Sequence, residues 1–69
     1  MVQIWVTKAD GTRQRFERDK VIATCLRMRA SRDVAERIAD HVEARLYDGI
    51  PTRQILQMIF ASLRRSHPT

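Results

Sequence analysis

An α+β domain, with an N-terminal β-hairpin packed over a three-helix layer, is the fold class this 69-residue sequence predicts. Three observations carry the reading. Val2, Ile4 and Val6 alternate with Gln3, Trp5 and Thr7, and beyond Asp10-Gly11 the residues Gln14 and Phe16 alternate with Arg13, Arg15 and Glu17; this is the period of half-buried strands. Three later segments carry apolar residues at helical spacing. Between them stand helix starts and stops: Ser31, then Gly49-Ile50-Pro51-Thr52. The length fits a single domain, 1–69, with the hairpin at about 2–17 and helices at about 19–28, 32–48 and 53–65.

The turn length decides which side chains share a face of the hairpin. A two-residue Asp10-Gly11 loop sets Val6 opposite Arg15 and puts a charge on the core face. A three-residue loop, Ala9-Asp10-Gly11 with Gly11 left-handed, sets Ile4 opposite Phe16 and Val6 opposite Gln14. That register keeps Val2, Ile4, Val6 and Phe16 together and leaves Trp5 beside Thr7, Arg13 and Arg15 on the other face. In the first helix Val21, Ile22, Cys25 and Leu26 make one stripe, and Asp19 complements the macrodipole. Lys20 does not, and a cation at that end makes best sense if an anion visits. Ser31 reads as the cap of the second helix, with Asp33 in its first turn and Ala35, Ile38, Ala39, Val42 and Leu46 on its stripe. Gly49 terminates it and Pro51 cannot continue it. Thr52 reads as the cap of the third helix, with Ile55, Leu56, Ile59, Phe60 and Leu63 inward and Arg64 and Arg65 suiting its C-terminus. A two-stranded hairpin is not stable alone in water, so its apolar face must lie on the helices.

The net charge of +5 is unevenly placed: residues 1–32 hold eight basic and three acidic side chains, residues 33–69 five of each. The excess gathers on the hairpin and first helix, at Lys8, Arg13, Arg15, Arg18 and Lys20, and favours phosphate ligands or nucleic acid there. Eleven of the thirteen cations are Arg, suited to bidentate phosphate contacts. Cys25 is alone, so the chain holds no internal disulfide and a reducing cytoplasm is the default; on an apolar face it reads as a buried, inert thiol. His41 and His67 have no Cys or carboxylate at metal-ligand spacing. The opening apolar run stops at Lys8, too short for a signal peptide or a membrane span. No Ser-His-Asp or Cys-His constellation can be assembled, so no catalytic residue is expected and the chain reads as a non-enzyme.

Taken in order, Val6, Lys8, Asp10-Gly11, Phe16, Asp19-Lys20-Val21 and Tyr47-Asp48-Gly49-Ile50-Pro51-Thr52 followed by Ile55 form a pattern that resembles the ATP-cone. This is the regulatory nucleotide-binding domain at the N-terminus of ribonucleotide reductases. The similarity covers residues 2 to about 63. It implies a non-catalytic allosteric sensor of ATP or dATP, with Mg²⁺ accompanying the nucleotide, acting on an attached catalytic or DNA-binding domain or a partner chain; a homo-oligomer is also compatible with it. By position, Val6 lines the base pocket, Lys8 and Lys20 meet phosphates, and Thr52 sits near the nucleotide. Three departures accompany the match. Ala9 stands where the family usually has Arg or Lys, with Arg15 as a substitute from the neighbouring strand. Leu56 stands where some reductase cones carry a polar contact. The family also continues through another helix, so the chain reads as a clipped or minimal cone.

Two other classes stay open. A nucleic-acid binder would track phosphates with Arg27, Arg29 and Arg32 as well, although no helix-turn-helix joint or aromatic stacking platform accompanies them. An interaction module on a cone that no longer binds nucleotide would use Met28, Met58 and Phe60 as an apolar surface.

Overall fold

The hairpin closes through the three-residue loop that keeps its apolar residues on one face. A computed structural model of the chain describes residues 4–66, so Val2, His67 and Pro68 lie outside the described residues. The Lys8 amide donates to the Thr12 carbonyl at 2.8 Å and the Gly11 amide to the Lys8 carbonyl at 2.9 Å. Gly11 takes φ +88°, which a residue without Cβ adopts freely. The Asp10 carboxylate accepts from the Thr12 amide at 3.0 Å and the Thr12 hydroxyl at 2.7 Å. These two bonds hold the Asp10 carboxyl below the usual carboxylate range. Strands β1 (Trp5–Thr7) and β2 (Arg13–Arg15) pair antiparallel with Val6 opposite Gln14, and the Phe16 amide reaches the Ile4 carbonyl at 2.8 Å. The expected register is the one observed.

The sheet has a third strand that the sequence reading missed. Residues Ile50–Pro51 form β3, which lies parallel to β1 with Val6 opposite Ile50, in the order β2-β1-β3. This makes β1 central and seals Ile50, which is fully buried. Pro51 fits only because β3 is an edge strand.

Helix α1 (Arg18–Arg27) begins without a side-chain cap on Glu17 and carries Asp19 in its first turn. Its end is a Schellman motif: the Ala30 amide bonds the Cys25 carbonyl at 3.1 Å and the Arg29 amide the Leu26 carbonyl at 3.0 Å. Arg29 occupies the left-handed position at φ +68°, among the described residues the one non-glycine residue to do so. Ser31 then caps α2 (Arg32–Glu43), its hydroxyl accepting from the Val34 amide at 3.3 Å.

Helix α2 ends at Glu43, not near Asp48 as expected. The chain tightens as the Arg45 amide bonds Val42 and the Leu46 amide bonds Glu43, then turns back to the sheet. The Gly49 amide donates to the Trp5 carbonyl at 2.8 Å, Asp48 accepts from the Trp5 amide at 3.2 Å, and the Thr7 hydroxyl donates to the Gly49 carbonyl at 2.9 Å. Tertiary bonding to β1 overrides helix propensity over these residues. Gly49, at φ +89°, makes the turn.

Helix α3 (Thr52–Ser66) begins directly after β3. Its buried stripe is Ile55, Ile59 and Leu63, whereas Leu56 and Phe60 are 42% and 43% exposed. Both were expected inward; one residue further round the helix, about 100° away, they turn from the core. Leu26 on α1 is exposed for the same reason. Val21, Ile22 and Cys25 from α1 and Ala35, Ile38, Ala39 and Val42 from α2 complete the core with Val6 and Ile50. Cys25 is inaccessible, and burial pushes its thiol pKa up.

Candidate functional site

Between the inner face of the sheet, the first half of α1 and the first half of α3 lies a mostly apolar cleft of about 220 Å³. Its floor follows from the hairpin register: Val6 and Gln14 are cross-strand partners, and Phe16 continues the same face. Helix α1 contributes Lys20, Val21 and Thr24 one turn apart, and α3 contributes Thr52, Ile55, Leu56 and Ile59. Of the five residues singled out from sequence, Val6, Arg15, Lys20 and Thr52 all line this cleft.

Lys8 does not. It lines a neighbouring hollow of about 330 Å³ with Thr7, Ala9, Pro51, Thr52 and Arg53, at the end of the sheet where β3 runs into α3. Thr52 borders both spaces. Ala9 adds no charge to this hollow, but Arg53 does, a cation from α3 that the sequence reading did not single out.

The cations of the hairpin-to-helix unit are not one cluster. Arg18 leaves it: its guanidinium crosses to α2 and bonds Asp40 at 2.8 Å and also Glu43, and these carboxylates raise its pKa. Lys20 has a local partner in Glu17, 3.4 Å away, so its place in the first turn does not by itself call for a visiting anion. Arg15 lies over the Trp5 ring, 5.9 Å from the centroid, within cation–π reach; Trp5 is thereby a packing residue of the outer face, 39% exposed. Of the arginines weighed for nucleic acid, Arg32 is paired with Glu36 at 3.3 Å, Arg27 sits in the last turn of α1, and Arg29 forms the turn beyond it.

The cleft also contains polar residues that sequence reasoning passed over. Gln14 and Glu17 line it beside Lys20 and Thr24. A signal existed for Gln14, because a polar residue stood at an inward-facing register position opposite Val6. Leu56, 42% exposed, forms part of the wall. The arrangement can hold a flat, largely apolar group with a few hydrogen-bonding edges, next to cations at the rim. Among the described residues no group of His, Cys, Asp and Glu side chains could hold a metal ion, and no helix is long and apolar enough to cross a membrane.

A family model for the ATP cone domain matches residues 4–69. An uncharacterized protein of Archaeoglobus fulgidus is 42% identical over 38 residues, which are 55% of this chain and 81% of that protein. No solved structure matches the chain.

Proposed function

Since the chain belongs to the ATP cone domain family, a family of nucleotide-binding regulatory domains, we propose that it is a non-catalytic allosteric sensor of ATP or dATP, acting on an attached domain or partner chain. One observation supports the proposal: Val6, Lys20 and Thr52, singled out in the sequence, come from three different elements, β1, α1 and α3, to line one cleft, with Arg15 of β2 at its edge.

The shape of the two spaces suggests how the ligand divides. A cleft of about 220 Å³ suits a purine ring and part of a sugar better than a whole nucleotide, since pockets for complete ligands run to about 300 Å³ or more. The base lies on Val6 and the apolar wall of Ile55 and Leu56. Its exocyclic amino group donates to the Gln14 side-chain carbonyl or the Glu17 carboxylate, both of which line the cleft. The phosphates pass Lys20 and Thr52 and extend toward Lys8 and Arg53, with Mg²⁺ carried by the phosphates and not by a protein ligand set. Arg53 supplies the charge that Ala9 lacks. Helix α3 assists at this point, because its N-terminus begins at Thr52 and presents free amides and the positive end of its dipole.

Titration of the chain with ATP and with dATP, followed by heteronuclear NMR, tests the reading. The expected dissociation constant is on the order of 10 μM to 1 mM, or about 4–7 kcal/mol, with amide shifts centred on Val6, Lys8, Gly11, Lys20 and Thr52. Unmoved amides at millimolar ATP in the folded domain would sink the proposal.

A further inference from the structure

The second half of the chain is neutral overall, five cations against five anions, yet the fold separates them. On α2 the carboxylates Asp40 and Glu43 are drawn toward α1 by Arg18, and Glu36 is taken by Arg32. Arg37 and His41 of the same helix face α3 instead. Arg37 and His41 line a groove of about 190 Å³ between α2 and α3, whose opposite wall is Ser62 and Arg65, with Ile38 at the base. Arg45 stands behind His41, its guanidinium 3.1 Å from Nδ1. Among the described residues no carboxylate pairs with Arg37, Arg45 or Arg65 within 4.0 Å, since the ion pairs formed use Arg18, Lys20 and Arg32. Two guanidiniums and an imidazole thus line the groove, with a third guanidinium behind the imidazole and, among the described residues, no carboxylate paired with any of them.

We propose that this groove between α2 and α3, formed by Arg37, His41, Ser62 and Arg65, is a second oxyanion site that takes a phosphoryl group. The donors are of the right kind. Arg37 and Arg65 offer planar forks from opposite walls, matched to the paired oxygens of a phosphate. Ser62 adds a hydroxyl. With Nδ1 accepting from Arg45, neutral His41 carries its proton on Nε2 and donates from there. The groove holds a phosphate or a diphosphate but not a whole nucleotide.

The site is separate from the nucleotide cleft. The two share no lining residue, the cleft using Thr52, Ile55, Leu56 and Ile59 of α3 and the groove Ser62 and Arg65 near its other end. Occupation of one therefore does not exclude the other. The cationic surroundings also leave a measurable mark on His41: burial, then Arg45 and Arg65, hold its pKa below the ordinary histidine value. Arg37, on the same helix, also faces the groove, while the adjacent Asp40 is engaged by Arg18. A bound dianion reverses the field and raises the His41 pKa.

The test is titration of the chain with inorganic phosphate and with pyrophosphate at fixed ionic strength, reading backbone amides and the His41 ring protons by NMR. Saturable shifts at Arg37, His41, Ser62 and Arg65, an upward move of the His41 pKa, and binding roughly tenfold weaker in Arg65→Gln and in Arg37→Gln support the site. A Lys20→Ala chain should bind phosphate here undiminished, which separates this site from the nucleotide reading. A parallel ATP titration distinguishes sources: shifts in the groove with ATP show that a nucleotide's phosphates can also enter. Shifts that stay linear, that chloride reproduces at equal ionic strength, or that appear only at Val6, Lys20 and Thr52 overturn the proposal.

Discussion

Replacing Arg29 with glycine should stabilise the domain, although it removes the larger side chain. Arg29 sits at φ +68° as the left-handed residue of the α1 Schellman motif, a position where an L side chain costs about 1–2 kcal/mol. Glycine relieves that strain but loses about 0.4–1 kcal/mol to its freer unfolded chain. The difference leaves a gain of about 0.5–1 kcal/mol. For a domain of this size that raises Tm by about 3–6 °C, and moves a urea midpoint by about 0.5–1 M if the slope is near 1 kcal/mol/M. Because Arg29 is exposed, its guanidinium adds little, but one positive charge is lost from a chain of net charge +5. Arg29→Ala controls for that loss, as it removes the same charge and keeps a Cβ at the strained position. Urea unfolding of the three chains at one pH, monitored by circular dichroism, gives the comparison. The expected order is Arg29→Gly above Arg29→Ala, with the latter near the parent. Equal midpoints for glycine and alanine would show that the backbone at this turn stores no strain, and the reasoning would fail.

The site predictions separate binding from stability. Lys20→Ala should weaken ATP binding at least about tenfold while moving stability by no more than about 0.5 kcal/mol, since its pair with Glu17 is exposed; calorimetric titration beside urea unfolding reads both. Lys8→Ala should weaken ATP binding far more than Arg29→Ala, and any binding of duplex DNA should vanish at physiological salt; equal steps from Lys8, Arg27, Arg29 and Arg32 in a salt-steep DNA isotherm would instead indicate a nucleic-acid surface. Gly49→Ala should destabilise by about 1–2 kcal/mol through its positive φ alone, because a Cβ there meets only the end of the Arg13 side chain at 3.9 Å; a Tm unchanged from the parent contradicts this. Arg18→Gln should lower the thermal midpoint, with the gap to the parent narrowing at 1 M salt as the Asp40 and Glu43 contacts are screened.

What could be read in the sequence was whatever depends on local period or local turn chemistry. The hairpin register was legible because a slip of one residue moves every side chain to the other face, which Val6 and Phe16 do not tolerate. Ser31 as a cap was legible for similar reasons, and so was the left-handed conformation of Gly49, although α2 ends at Glu43 and Gly49 does not terminate it. Strand β3 was not, since two residues ending in proline have no period and its partner is the distant β1. The end of α2 was hidden because Ala44 to Leu46 continue a helical pattern, and only the bonds from Trp5 and Thr7 to Asp48 and Gly49 stop it. Nor does the sequence display where a charge points. Arg18 reads as part of the hairpin cluster until its partners, 22 and 25 residues later, are brought alongside. The family resemblance singled out Val6, Lys20 and Thr52, which line the cleft, whereas Gln14 and Glu17, which line it too, looked like the ordinary polar content of a short edge strand and its exit.

The position of the cleft follows from how the three helices share their packing. Helices α1 and α2 are packed most closely and are clamped again by Arg18, while α1 and α3 barely meet. The space between α1 and α3 is the cleft, so its walls belong to two bodies joined mainly through the sheet and through α2. Helix α3 is fixed at one end by β3, whose Ile50 is buried against Val6, and Thr52 follows immediately as both the first residue of the helix and the shared edge of the two hollows. Under the nucleotide reading, a base between Val6, Lys20 and Leu56 supplies the contacts that α1 and α3 do not make with each other. It does so at the β3 end of α3, a helix of 15 residues, about 22 Å long at 1.5 Å per residue. Under the same reading a ligand acts at the Thr52 end of α3, and the helix carries that change to Ser62 and Arg65, which face Arg37 and His41 of α2.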